Sequence, residues 1–189
     1  MRKWKRVETA EGLRFRSALT SQEAALLKTL VGSMIGLLDD RESSSPPDEL
    51  EQITGIKTGN TDPPDNATLR RLLPDFSKPE DDKPDAAEIL NAALRSLHEP
   101  EIIEAKRVAA QQLLDTVGDG GRVELTEDAA NAWIAAVNDV RLALGTMLDV
   151  RPDGPDRLPD DHPMAPHLDV YQWLTVVQDY LVLALLGSR

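Results

Sequence analysis

The sequence predicts a mainly α-helical protein, a helical bundle with a small antiparallel β-sheet made of an N-terminal hairpin and a strand near residues 122–125. Three observations carry this. Long stretches place apolar residues three and four apart. Two helix starts bear side-chain caps, at Thr20 and Thr126. Two segments, RFRSALTSQEAALLKTLV and GRVELTEDAANAWIAAV, repeat one order of parts: a strand, a Leu-Thr corner and a helix. The echo predicts that both strands enter one three-stranded antiparallel sheet and that both helices leave it similarly.

In chain order, Lys3 to Glu8 and Leu13 to Arg16 alternate around Thr9-Ala10-Glu11-Gly12, a hairpin signal. Trp4 and Arg6 share one face, Lys5 and Val7 the other. Thr20 and Glu23 form a capping box, and the helix behind it carries Leu27, Leu30, Val31, Met34, Ile35 and Leu38 before stopping near Asp39-Asp40-Arg41. A loop-rich acidic excursion follows at about 42–85, with short helices at Asp48–Gln52 and Ala67–Leu73 and partial disorder expected around Ser77–Pro84. Two helices come next, Ala86–Leu97 and Glu101–Val117, with Pro100 at the start of the second, where its missing amide is harmless. A turn at GDGG leads into the strand Arg122–Leu125. Thr126 caps a helix whose Ala130, Trp133, Val137, Val140, Leu144 and Met147 step by three and four. A proline-rich crossing then reaches a terminal helix from about Val170. The whole of residues 1–189 reads as a single helical domain, a length that supplies a full core.

Composition narrows the chemistry. Apolar residues make up 41% and charged residues 29%, a globular balance. There is no cysteine, which removes disulfides, thiol catalysis and cysteine-bound zinc and leaves methionine as the sulfur chemistry. The most apolar stretch, VYQWLTVVQDYLVLALLG, contains Gln172, Gln178 and Asp179, so it reads as a buried helix and not a membrane span. With no signal-peptide pattern at the start, the expected location is the cytoplasm. No nucleophile elbow, phosphate loop or zinc-protease motif occurs. A non-enzyme without a cofactor is the expectation.

Charge is unevenly spread. The first 16 residues carry a net +4 and the rest −16, within a total of −12. Arg2, Lys3, Lys5, Arg6, Arg14 and Arg16 have two readings. Clustered cations neutralise phosphates, with Trp4 and Phe15 beside them to stack on bases. Cations on an edge strand also deter aggregation, and this structural reading is the better supported. Arg70 and Arg71 in NATLRRLLPDF are a second nucleic-acid candidate, set against plain pairing with Asp65 and Asp75. The loop before them is too long for a helix-turn-helix. Asp160, Asp161, His162, His167 and Asp169 lack fixed metal-ligand spacing, so no metal site is expected. His98 is read as standing near a helix end. Gly32 and Gly36 permit close helix packing. Tyr180, Leu181, Leu183 and Leu185 lie in YLVLALL, apolar on every side. Either this is the central helix of the bundle, or half of it meets a partner, including a second copy in a homodimer.

LRRLLPDF, AALRSLHEPEIIEAKRVAAQQLLDTV, ELTEDAANAWIAAVNDVRLALGTMLDV and YQWLTVVQDYLVLALL resemble an actinobacterial family long catalogued as a domain of unknown function and associated with oxidative-stress transcriptional regulation, the AosR-like regulators. The likeness covers nearly the whole chain; Asn131-Ala132-Trp133 with Asn138, Asp139, Arg141 and Leu142 are its most telling residues. It implies a cytoplasmic transcriptional regulator acting with DNA, with an RNA polymerase sigma factor, or with both. The alternative is a protein-binding adaptor that makes no direct DNA contact. Without cysteine, a direct oxidant sensor in this chain needs Met34, Met147 or Met164, or a partner protein.

Overall fold

The structure, a computed structural model, describes residues 3–45, 58–78, 84–150, 158–159 and 161–187. The helix expected at Asp48–Gln52 lies outside these residues, as do Arg2 and Asp160.

The hairpin forms as expected. Strand β1 (Lys5–Thr9) pairs antiparallel with β2 (Gly12–Ala18), and β2 pairs antiparallel with β3 (Arg122–Leu125), in the order β1-β2-β3. Gly12 supplies the positive φ of 105° that closes the hairpin turn. Phe15 opposes Arg6 on one side and Leu125 on the other, so Phe15, Val123 and Leu125 face the core. The opposite face carries Lys5, Arg14, Arg16, Arg122 and Glu124, because side chains alternate along each strand. Gly121 is indispensable at the corner before β3. Its φ is +75°, and a Cβ there would stand 2.3 Å from the Leu19 carbonyl oxygen, while its own carbonyl accepts a 2.8 Å bond from the Leu19 amide.

Helix α1 (Ser21–Ser43) starts at the Thr20–Glu23 capping box and buries Ala24, Leu27, Val31, Met34 and Leu38. It runs past the expected stop because Arg41 faces inward, toward Glu99. An added Cβ at Gly32 or Gly36 meets nothing within 4 Å, so these glycines do not serve close packing. Helix α2 (Ala67–Leu72) is capped by Asn66, whose side chain accepts from the amides of Thr68 and Leu69.

The two helices expected around Pro100 are one. Helix α3 (Pro84–Thr116) runs straight through the proline. Proline has no N–H to give the carbonyl of Ser96 one turn back, and the chain replaces it: the Gly59 amide donates to Ser96 O at 2.7 Å. A Cβ on Gly59 would meet Pro100 Cδ at 2.9 Å and Cγ at 3.1 Å. Only glycine fits this notch. His98, expected near a helix end, is therefore mid-helix, with its ring 6.0 Å from Phe76. Gly59→Ala is expected to lower stability by about 1–2 kcal/mol, overpacking outweighing the unfolded-state gain of alanine. Urea unfolding reads it, and adding Pro100→Ala should recover most of the loss by clearing the clash.

The central helix is α4 (Glu127–Met147), which contacts α1, α2, α3, β2, β3 and α5. Its alanines at 129, 130, 136 and 143 are buried beside Trp133, Val137, Val140 and Leu144, so neighbours approach from several sides. Met147, expected in that stripe, is 69% exposed at the helix end. The terminal helix α5 (Ala165–Leu185) begins five residues earlier than expected. It is not the central helix: it buries one stripe, Leu174, Val177, Leu181 and Ala184, against α4 and touches β1.

Candidate functional site

Two kinds of surface are built by this fold: a cationic sheet face and an apolar helix face. On the sheet, the register sets Lys5 opposite Arg16 and Arg16 opposite Glu124. Arg16 Nε bonds Glu124 Oε2 at 2.6 Å with both side chains about half exposed. This hydrogen bond raises the pKa of Arg16 and lowers that of Glu124. Arg14 folds back on its own hairpin, donating to the Glu11 and Leu13 carbonyls and to the Glu11 carboxylate at 3.1 Å. Lys5 and Arg122 form no ion pair among the described residues.

Lys3 and Arg6 turn away from that face. Lys3 Nζ lies 5.5 Å from the Tyr180 ring centroid. Arg6 Nη1 reaches the end of α5, where it would stand 2.9 Å from a Cβ on Gly187. There it complements the negative end of the helix dipole. So the candidate cations of the hairpin split into an outer set and a pair that ties β1 to α5.

Arg70 and Arg71 belong to neither set. The expected pairing with Asp65 and Asp75 is not found among the described residues. Arg70 Nε donates to the Pro64 carbonyl at 3.1 Å, and Asp75 is taken by Arg95 at 2.6 Å. Arg71 lines a cleft of about 370 Å³ with Arg141, Gly145, Thr146, Asp149 and Tyr171, at the C-terminal end of α4. Arg141 lies over the Tyr171 ring at 5.3 Å and donates to the Gln178 side chain. The sheet meets the opposite end of α4, whose 21 residues span about 30 Å. The two basic groups therefore sit at opposite ends of α4.

Among the described residues no three histidines or carboxylates approach closely enough to hold a metal ion. His162 Nδ1 instead accepts the Met164 amide at 3.2 Å.

On α5, the four apolar candidates separate. Leu181 is 1% exposed and belongs to the core, because it continues the Leu174–Val177 stripe facing α4; it is removed from any interface. Tyr180 and Leu185 are half-buried and Leu183 is open. The structure adds Val176 and Leu186, both exposed, with Trp173 half-buried beside them. Their signal was present in the spacing, since Val176 and Leu183 are seven apart. In an all-apolar run it was masked.

Sequence reasoning also missed a buried charge network. Glu99 accepts from Arg41 Nε at 2.7 Å and from Arg95 Nη1 at 2.8 Å, and Arg95 also bonds the Leu73 carbonyl. Arg95 and Glu99 stand four apart on α3, a spacing that pairs charges on one helix face.

No helix among the described residues is long and apolar enough to cross a membrane. No solved structure matches the chain. Proteins named oxidative stress regulator AosR, in Mycobacterium bovis and in Mycobacterium tuberculosis, are each 70% identical to it over 100% of this chain and 90% of their own length. A relative in Mycobacterium leprae is 63% identical with the same coverage. The family profile described as a domain of unknown function, DUF2017, matches residues 1–185, and with that span and those identities the chain belongs to the DUF2017 family.

Proposed function

We propose that this chain is a cytoplasmic, non-catalytic regulator of the oxidative-stress response that acts by protein contact, seating the open face of α5 on the transcription machinery, either RNA polymerase or a sigma factor. One observation carries the reading. Val176 and Leu183 are exposed on a helix whose other stripe is already spent on the core, with Leu186 exposed at its C-cap, and apolar surface left open on a soluble protein marks a contact site. The names of the mycobacterial relatives support the stress-response part. Regulation is better supported than sensing: the chain has no thiol, and among the described residues Met34 is buried, Met164 half-buried and Met147 exposed at a helix end.

Direct DNA contact is a second reading, favoured by Lys5, Arg14, Arg16 and Arg122 sharing one sheet face. It is the weaker of the two, because Glu124 and Glu11 already engage two of the four, and the acidic body repels phosphate at low salt.

Biolayer interferometry on immobilised protein separates them. Core polymerase or holoenzyme should bind, and Leu183→Asp should weaken binding at least about tenfold, as loss of an interface anchor does, with an unchanged melting temperature. No binding to either form of the enzyme rejects the α5 reading. A steep salt dependence on duplex DNA, flattened by Lys5→Gln with Arg122→Gln, would put the sheet face in its place.

A further inference from the structure

We propose that the N-terminal half of α3 is a second docking face, shaped for an amphipathic helix of a partner protein that is apolar along its seam and basic on its flanks. On this half Ala86, Leu90, Ala93 and Leu97 are all exposed. They are spaced four, three and four apart, the spacing at which one helix packs along another. Ile89, 72% exposed, borders the row, and Leu97 at its far end is 50% exposed. Arg95 and Glu99 are buried on the opposite side of the same segment, and Ala87, beside the row, is buried as well. Over its middle turns the usual order is reversed: Arg95 and Glu99 lie inside while Leu90 and Leu97 lie outside, whereas a solvated helix face carries the polar residues.

The charges choose the partner. Between Pro84 and Glu104 the chain has one arginine and no lysine, and that arginine, Arg95, is buried and spent on Glu99, Asp75 and the Leu73 carbonyl. Within the helix the exposed charges at its N-terminal end are Asp85 and Glu88, and at the other end Glu101 is exposed, 3.9 Å from His98 Nδ1; the nearest described lysine, Lys78, lies beside the Ser77–Asn91 bonds on the flank of the row. An apolar row closed by carboxylates at both ends repels a second copy of itself and attracts a helix with lysine or arginine beside its apolar seam. From Ala86 to Leu97 the row is about 17 Å long at the helical rise, enough for about three turns of a partner. It is separate from the α5 contact proposed above, and either can fail alone.

The probe is a synthetic 18-residue helical peptide with leucine at its seam positions and lysine on both flanks, beside a twin with glutamate in place of each lysine. Both are titrated into the full chain by calorimetry at about 50 and about 300 mM salt, the range over which exposed charges become screened. The lysine peptide should bind, more weakly at high salt, and the glutamate twin should not. Leu90→Ser with Leu97→Ser should reduce its affinity at least about tenfold, while Leu183→Asp leaves it unchanged. Both substituted leucines are exposed, so the double variant should melt with the wild type. Equal binding of the twin overturns the proposal, as does an unaffected double variant or the absence of binding. A wild-type dimer that the double variant disperses would overturn it in favour of a second copy.

Discussion

Replacing Glu99 with alanine is expected to lower the unfolding free energy by about 3–5 kcal/mol, the cost of removing one partner from a buried ion pair. Glu99 is the shared acceptor for two guanidiniums: Arg41 Nε at 2.7 Å and Arg95 Nη1 at 2.8 Å, with Arg41 Nη2 at 3.3 Å. Without it, Arg95 keeps Asp75 and the Leu73 carbonyl, and Arg41 keeps the Asp62 carbonyl at 2.6 Å. Two positive charges then face each other in a poorly solvated space with one outer carboxylate between them. Asp75 is 56% exposed although its partner Arg95 is buried, and Arg95 keeps Glu99, so Asp75→Ala should cost less than Glu99→Ala, about 1.5–3 kcal/mol, the worth of a hydrogen bond to a charged group. Glu99→Met together with Arg95→Met should recover part of the loss, because apolar replacement of a whole buried pair is often neutral. Urea midpoints at constant slope measure all three. If Asp75→Ala costs as much as Glu99→Ala, the network is not centred on Glu99.

That network also anchors the returning end of the excursion. Arg41, at the last turn of α1, reaches Asp62, and the Asn60 side chain donates to the Arg41 carbonyl at 3.0 Å. Gly59 sits in the Pro100 notch one residue earlier. Residues 58–63 are therefore pinned to both α1 and α3 by polar contacts, with no fully buried side chain until Pro64. Loss of Glu99 should loosen this segment before the helices. Hydrogen exchange at the Gly59 and Asn60 positions would rise first.

What was legible in the sequence is what local chemistry decides. The Thr20–Glu23 box, the Thr126 cap and the alternation of Arg122–Leu125 each depend on neighbours within a few residues, and each stands as expected. The three-stranded sheet was legible because two strands each led into a capped helix. The misses are long-range. Pro100 reads as a helix start because proline removes a donor, and nothing nearby in sequence says that Gly59, 41 residues earlier, supplies another. The terminal helix reads as central because its composition is apolar on every side. Yet the alanine-rich α4 is the helix that touches every other described α-helix, and small side chains give a weaker hydrophobic signal than leucine. At the candidate surfaces the sequence named Lys5, Arg14, Arg16 and Leu183, and missed Arg122, which joins that face only through the β2–β3 pairing. It could not say that Leu181 is spent inside, or that Glu11 and Glu124 engage Arg14 and Arg16.

Trp133→Ala is the second large effect expected, about 3–5 kcal/mol for deleting a fully buried tryptophan. Trp133 is completely buried, and its ring meets Trp4 edge-on at 5.5 Å and 86°. Its Nε1 donates to Thr116 Oγ1 at 2.6 Å. One side chain of α4 thus holds the residue before β1 and the last residue of α3, just ahead of the Val117–Val123 bridge to β3. Thr116→Val isolates the polar part: it strands a buried indole N–H, which should cost about 1–3 kcal/mol. Trp133→Phe keeps much of the ring and loses the same bond, so it should fall between Thr116→Val and Trp133→Ala. The consequence reaches the surface. Trp4 faces the core on the side of β1 opposite Lys5, so losing its support should free the hairpin edge and widen the disposition of Lys5 and Arg16 on the outer sheet face. In the alanine variant, amide exchange in β1 should rise more than in β3, which β2 pairs and α4 covers directly. A cost below about 1 kcal/mol, with β1 exchange unchanged, would mean that the hairpin is not held from below and that pairing within the sheet alone sets the position of the cationic face.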